Sequence, residues 1–154
     1  MEHLKRMLGL VAGLFCVLVV AGLSSAIFKI DLKWYIALNK PSFVVSGWWF
    51  SIFVSIAYIS SILAVSRLVH FKHFFPSMIF FAVLGIFSVL FVLFFFRLHN
   101  LILSLVCMTA VFAMAFTLLI RFLMKELKIA LEFLPTFIFN AYAFLCVIYI
   151  VMQN

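Results

Sequence analysis

Acidic residues are scarce in this chain of 154 residues, and the four present stand near an end of the chain or at the edge of an apolar run: Glu2, Asp31, Glu126 and Glu132. Ion-coupled transporters keep an ionisable group inside the membrane, and hydrolases need paired carboxylates or a Ser/His/Asp set. The sequence therefore disfavours proton-driven or sodium-driven transport and hydrolysis. We predict no catalytic residue, although the question of an enzymatic activity stays open.

Cysteine is also sparse, because only Cys16, Cys107 and Cys146 are present, far apart and inside apolar runs. They show no CxxC spacing, so we expect neither a disulfide framework nor a zinc site. We predict no metal ligand and no resident cofactor.

Charged residues make up only 10% of the chain, whereas 69% is hydrophobic, and the mean hydropathy is +1.40. Soluble domains are about half apolar and a quarter charged. Because hydrocarbon offers no hydrogen-bond partners, the backbone inside a bilayer must form helices or a closed barrel. The apolar runs lack the alternation of barrel strands. We therefore predict an all-α membrane protein with a single domain.

Five apolar runs are long enough to cross a bilayer as helices, at about 8–28, 44–66, 75–96, 101–120 and 132–152. The connector at 29–43 is the longest, and 121–130 forms another connector with charged residues. An alternative interpretation of the first run is a cleaved secretory signal that ends near Ser24 to Ala26.

The net charge of +7 comes from eleven Lys and Arg residues scattered singly through the connectors. This pattern does not indicate nucleic-acid binding, but it is typical of topology signals and of contacts with lipid headgroups. Given five spans, one side carries seven of these residues and the other side carries four: Lys5, Arg6, Arg67, Lys72, Arg121, Lys125 and Lys128 against Lys29, Lys33, Lys40 and Arg97. We expect the side with seven, which includes the amino end, to be cytoplasmic.

The second apolar run carries polar and aromatic residues on one helical face, with Trp48, Ser51, Ser55 and Tyr58 at i, i+3, i+7 and i+10. This stripe either lines a cavity or serves close helix packing. Asn140 lies between Thr136 and Ala143 in the last run. It either forms a hydrogen bond between helices or binds a ligand.

Glycines at 9 and 13 match the GxxxG pattern, which gives either a homodimer face or ordinary helix packing.

The run WYIALNKPSF at 34–43, followed by Trp48 and by Tyr58 ten residues later, resembles the TspO/MBR family of tryptophan-rich sensory or translocator proteins. The FFRLH run at 95–99 and Leu134–Pro135 are weaker matches to the same family. The likeness covers nearly the whole chain.

The resemblance implies a bundle of five helices around a hydrophobic pocket under a lid formed by the first connector. The pocket would bind porphyrins, including haem-related ones, or sterols, for transport or for sensing. Trp34 and Pro41 would belong to the lid, Trp48 and Tyr58 to the pocket wall, and Ala143 to the facing wall, while Lys40 would hold the lid near the headgroups. We expect residence in the inner membrane of a bacterium.

The chain departs from the family pattern where the family has a proline pair, tryptophans and an asparagine: Val45, Ser46, Val54, Ser88, Phe91 and Phe139 stand there instead. A Trp to Phe exchange keeps apolar contact but removes an N–H donor. We therefore expect a more apolar pocket that suits porphyrin carboxylates less well.

Three functional hypotheses follow from these patterns. The first is a binding protein for a flat hydrophobic ligand, with Trp34, Pro41, Trp48, Ser51, Tyr58, Asn140 and Ala143 as ligand-binding residues. The second is a structural or interaction protein whose pocket is filled by phenylalanines. The third is light-dependent breakdown of a bound porphyrin, which would require Trp48.

Overall fold

The computed structural model describes residues 2–28, 31–68 and 74–154. Six α-helices follow one another in this part of the chain: α1 (Glu2–Ile27), α2 (Leu32–Ala37), α3 (Gly47–Leu68), α4 (Phe74–Val92), α5 (Leu101–Lys125) and α6 (Leu127–Gln153). All except α2 belong to spans long and apolar enough to cross a membrane. The prediction of an all-α bundle with five spanning helices is confirmed.

The five long helices form a ring in which each packs against two neighbours, in the order α1, α3, α6, α5, α4 and back to α1. The short α2 and the residues around it cross one end of this ring. We call residues 31–46 the lid, the end of the ring beneath them the lid end, and the opposite end the far end.

The structure shows that α1 is an integral part of the ring. A Cβ atom added to Gly13 would lie 3.1 Å from the carbonyl oxygen of Ile62 on α3, and one added to Gly85 on α4 would lie 2.8 Å from Cγ2 of Val20. These glycines therefore bring α1 close to both neighbours. The GxxxG pattern that ends at Gly13 serves packing within the chain, so it offers no support for a homodimer.

Polar side chains fix two of the helix starts. The Asp31 carboxylate accepts hydrogen bonds from the backbone N–H groups of Lys33 and Trp34 at 3.1 and 3.2 Å, and so caps α2. Asn100 caps α5 in the same way, because its Oδ1 accepts from the N–H of Leu103 at 3.0 Å.

The helix α4 ends in a π-helical turn at Leu93–Arg97, in which the N–H of Leu98 donates to the carbonyl of Leu93 at 3.0 Å. His99 follows with a φ of 53°, a left-handed conformation that costs a non-glycine residue energy. Such turns are frequent at functional sites, and this one places Phe95 beneath the lid with 3% of its surface exposed.

The prediction of a connector at 121–130 is wrong. The helix α5 continues to Lys125, and α6 begins at Leu127, so that Glu126 alone separates them. The reason is that Phe122, Ile129 and Ala130 are buried in the core, so packing keeps these turns helical despite their charged neighbours. The predicted connector at 29–43 contains α2, while residues 29 and 30 lie outside the described part of the chain.

The far end of the ring is filled by a core in which side chains of α3, α5 and α6 meet, with Phe80, Phe81 and Leu84 of α4 packed against it. We call this the far-end cluster, and its buried members are Ala64, Leu68, Ala115, Leu118, Leu119, Phe122, Ile129, Ala130 and Phe133. Phe133 is fully buried, with ring centroids 5.4 Å from Phe81 and 5.5 Å from Phe122. This end of the interior is closed by the protein's own side chains.

Candidate functional site

The lid is seated on the ring through Trp34. Its indole stacks on the imidazole of His99, with 4.3 Å between ring centroids, and meets Phe95 edge-on at 5.4 Å. Leu38, Phe95 and Ile150 form a small buried core at this point. Trp34 therefore lies in the lid, where the family resemblance implies it to be, although its ligand-binding role stays a prediction.

Lys40 holds the end of α2 in place. Its Nζ donates to the carbonyl oxygen of Tyr35 at 2.6 Å and lies 4.6 Å from the centroid of the Tyr35 ring. A cation at a helix C-terminus interacts favourably with the last carbonyls. Desolvation by burial raises the pKa of the Tyr35 phenol above its ordinary value. Pro41, which follows Lys40, is also buried. Lys40 thus serves the lid's own structure, whereas the resemblance implied a headgroup contact.

Two sets of hydrogen bonds fasten the lid to α6. The N–H of Asn39 donates to Oδ1 of Asn154 at 3.0 Å, and Nδ2 of Asn154 donates back to the carbonyl of Asn39 at 3.2 Å. Nδ2 of Asn39 also donates to the carbonyl of Gln153 at 3.2 Å. Further along, the N–H of Val45 donates to the hydroxyl of Tyr142 at 3.0 Å. We call the contacts between Asn39 and residues 153–154 the lid latch.

Trp48 and Ser51 do not lie where the sequence pattern placed them. The Trp48 side chain is 79% exposed, and Ser51 is exposed with its hydroxyl donating to the carbonyl of Gly47 at 3.0 Å. Ser55 is likewise exposed and donates to the carbonyl of Ser51. An enclosed pocket wall at Trp48 and Ser51 is therefore wrong, because the rest of the described chain leaves both side chains uncovered on the first turns of α3.

Tyr58 is the member of the stripe that turns inward. It is half-buried and shares a helix face with Ser61, which contacts Thr136 of α6, and with Val65, which contacts Gly13 of α1. A face that touches both neighbouring helices points into the ring. No hydrogen bond of the Tyr58 hydroxyl to another described residue is present in the structure.

Asn140 is 94% buried, since only 6% of its surface is exposed, and its carboxamide has no hydrogen-bond partner among residues 2–28, 31–68 and 74–154. The polar atoms of the described residues that are both fully enclosed and without a partner are His99 Nε2 and Glu132 Oε2. The Asn140 amide is therefore a buried polar group without a partner in the described part of the chain.

The α3–α6 contact does not use Asn140. Thr136, one turn earlier on α6, donates its hydroxyl to the carbonyl of Ala57 at 2.8 Å and contacts the hydroxyls of Ser60 and Ser61 at 3.0 and 2.9 Å. Ser60 also donates to the carbonyl of Glu132, whose carboxylate pairs with Arg67. Of the two interpretations of Asn140, a hydrogen bond between helices is therefore not found within the described part of the chain.

From their positions in α3 and α6, we expect Tyr58 and Asn140 to lean toward each other along the ring axis. Side chains in a helix lean toward its N-terminus. The N-terminus of α3 follows the lid, so Tyr58 leans toward the lid end, whereas α6 starts at the far end, so Asn140 leans the other way. Thr136 bonds to Ala57, the neighbour of Tyr58, so Asn140 lies about one turn nearer the lid than Tyr58.

Ala143 shares the inward face of α6 with Asn140 and is half-buried. It packs against a core of Met108, Val111 and Val147, to which α4 adds Leu84, Phe87 and Phe91. That core is built from side chains of α4, α5 and α6. Tyr58 and Asn140 therefore lie on the remaining side of the interior, next to α3. The structure thus places Tyr58, Asn140 and Ala143 around the ring interior and Trp34 and Pro41 in the lid.

Sequence reasoning missed Asn39, Tyr142 and His99, which position the lid. Asn39 and His99 stand inside the motif runs at 34–43 and 95–99, so their place in those runs was the available signal. Tyr142 carried no such signal, because its hydroxyl becomes important only when α6 meets residues 43–45.

The family model described as TspO/MBR matches residues 12–152, nearly the whole chain. No curated protein matches the chain significantly.

Proposed function

Because the chain belongs to the TspO/MBR family, we propose that it binds a hydrophobic ligand of the porphyrin or sterol type inside the ring, between the far-end cluster and the lid. The family is known for binding hydrophobic ligands, and the chain is an integral, multi-pass membrane protein. The observation that carries the proposal is Asn140, whose carboxamide is buried and has no hydrogen-bond partner among the described residues. A buried polar group without a partner costs about 1–3 kcal/mol, and a bound ligand would offset that cost.

The surroundings of Asn140 support a ligand site. Pockets for small molecules are mostly apolar, with a few placed polar groups that fix the orientation of the ligand. Here Phe87, Phe91 and Ala143 are apolar neighbours of the interior, and Tyr58 adds a hydroxyl. The lid supplies the cover, because Trp34 and the lid latch hold it across the ring.

The experiment compares ligand retention in two variants that receive the same new side chain. Ala143→Phe fills the proposed site, whereas Ala113→Phe adds a phenylalanine at an exposed position of α5. The full chain is purified from native membranes, and the compounds bound to it are extracted and identified by mass spectrometry. We expect Ala143→Phe to retain about tenfold less of the bound compound than the wild type, a change of about 1.4 kcal/mol, and Ala113→Phe to retain a wild-type amount. Equal retention in both variants would remove the proposal.

A second candidate function is a structural or interaction protein without a ligand, and the aromatic packing of the interior favours it. Phe91 and Phe95 stack with centroids 5.4 Å apart, and Phe91 meets Phe96 edge-on at 6.4 Å. If this packing fills the whole interior, Ala143→Phe overpacks it and lowers the free energy of unfolding by about 1–3 kcal/mol. If space is present, the same substitution is tolerated. Thermal unfolding of the two Phe variants therefore separates the two functions.

The geometry gives little support to the hypothesis of light-dependent porphyrin breakdown. The hypothesis requires Trp48 beside the bound pigment, but Trp48 is 79% exposed on the first turns of α3. Trp34 is the tryptophan that covers the ring. We therefore propose binding as the primary role.

The proposed setting is the inner membrane of a bacterium, with the far end of the ring toward the cytoplasm. The charges at the described far end support this orientation, because Arg67, Arg121, Lys125 and Lys128 lie there, against Lys33, Lys40 and Arg97 at the lid end. Lys5, Arg6, Lys29 and Lys72, which complete the comparison of charges, have no described side chains.

A further inference from the structure

We propose, on the premise of the proposed function, that the site beside Asn140 selects uncharged ligands that carry a hydroxyl or carbonyl group, and discriminates against carboxylates. The carboxamide of Asn140 offers two N–H donors and a carbonyl acceptor. None of them has a hydrogen-bond partner among the described residues. A single hydroxyl or carbonyl group on an otherwise apolar molecule matches that inventory.

The described Lys and Arg side chains offer no partner for a carboxylate in the middle of the ring. Every described Lys and Arg side chain is either exposed or engaged at an end of the ring. Lys40 bonds to the carbonyl of Tyr35, Arg67 pairs with Glu132, and Arg121 lies over the ring of Phe80. Lys33, Arg97, Lys125 and Lys128 are exposed.

His99 is the remaining described group near the lid that can carry a positive charge, and it is covered. Its ring stacks under Trp34 at 4.3 Å, and its Nε2 is fully enclosed. A carboxylate carried into the middle of the ring would thus lose its hydration without gaining a counter-charge, which is the costly case for burial of an ion.

Several other polar side chains of the interior form hydrogen bonds within the chain. Ser88 donates to the carbonyl of Leu84 at 2.9 Å, and Ser104 donates to the carbonyl of Asn100 at 2.6 Å. Ser61 and Thr136 bond to each other across the α3–α6 contact. Asn140, assisted by Tyr58, is therefore the group that recognises the polar end of the ligand.

Protoporphyrin IX and its dimethyl ester test this inference, because they share one ring system and differ in two carboxylates. Full-length protein in lipid nanodiscs is titrated with each compound, and quenching of tryptophan fluorescence is followed. We expect the ester to bind at least about tenfold more tightly than the diacid. Asn140→Leu, which keeps the volume but removes the carboxamide, should weaken ester binding about tenfold, while the preference for the ester persists because the interior still offers a carboxylate no counter-charge.

The affinity of the ester is compared between the wild type and Asn140→Leu, so that partitioning of this compound into lipid cancels. Thermal unfolding confirms that the variant is folded, and Asn140→Ala replaces it if it is not. Equal binding of ester and diacid to the wild type would overturn the selection against charge. Ester binding that is as tight in the Asn140 variants as in the wild type would overturn the role of Asn140. Absence of saturable binding by either compound would instead remove the proposed function itself.

Discussion

Gly13 and Gly22 stand on the same helix but meet different surroundings, and this contrast makes a matched test of the α1–α3 contact. A Cβ at Gly13 would lie 3.1 Å from a backbone oxygen and 3.3 Å from a backbone Cα of Ile62, whereas a Cβ at Gly22 meets nothing within 4 Å. We expect Gly13→Leu to lower the free energy of unfolding by about 1–3 kcal/mol, because the backbone of α3 cannot yield locally.

The measurement is unfolding of the full chain in detergent micelles, with Gly22→Leu as the control. Gly22→Leu should leave the midpoint close to that of the wild type, since its side chain points into open space. If both substitutions shifted the midpoint equally, the close approach of α1 to α3 would not be the cause.

Individual residues show where sequence reasoning reached its limit. The spacing of Trp48, Ser51 and Tyr58 predicts that they share one side of a helix. Periodicity does not show whether that side faces the ring interior or the outside of the bundle. The direction is set by contacts of α3 with α1 and α6, which are distant in the chain. Tyr58 consequently turns inward while Trp48 is 79% exposed. Asn140 was identified because a carboxamide in an apolar run is unusual wherever it points.

The lid latch is a small set of bonds that a single substitution can weaken. Asn154→Ala removes the Oδ1 acceptor of the Asn39 N–H and the donor to the Asn39 carbonyl. Each net hydrogen bond contributes about 0.5–1.5 kcal/mol, so loss of both corresponds to roughly tenfold faster opening of the lid. We expect faster hydrogen exchange in the peptide that covers residues 31–46, measured by mass spectrometry.

The neighbouring residue supplies the control for the latch. Gln153 contributes only its backbone carbonyl to Asn39, and its exposed side chain makes no hydrogen bond within the described part of the chain. Gln153→Ala should therefore exchange like the wild type. An unchanged exchange rate in Asn154→Ala would show that Trp34 and Tyr142 hold the lid without the latch.

Helix existence was predictable, but some helix ends were not. Apolar runs of spanning length define α1, α3, α4, α5 and α6 because a bilayer leaves the backbone no alternative to a helix. The junction of α5 and α6 was missed because Lys125, Glu126 and Lys128 are typical of a connector. The apolar residues interleaved with them, such as Phe122 and Ile129, are buried, and burial outweighs the local signal.

The placement of the whole ring in the membrane gives a further prediction. Ser42 is exposed in the lid and Lys125 is exposed at the far end of α5. With Ser42→Cys, a membrane-impermeant maleimide should label intact bacterial cells. With Lys125→Cys, it should label only permeabilised cells. Cys16 is half-buried and Cys107 and Cys146 are buried, so the unmodified chain supplies the background. The reverse pattern would show that the ring is inverted in the membrane.

Closure of the far end has a consequence for the traffic of any cargo. Phe81, Phe122 and Phe133 are in mutual contact at that end. The interior is therefore closed there, and we expect its entrance to lie under residues 31–46. A molecule taken up beside Asn140 must leave by the side through which it came. If the chain binds a ligand as proposed, we expect uptake and release on the same side of the membrane, as a reservoir or a sensor requires.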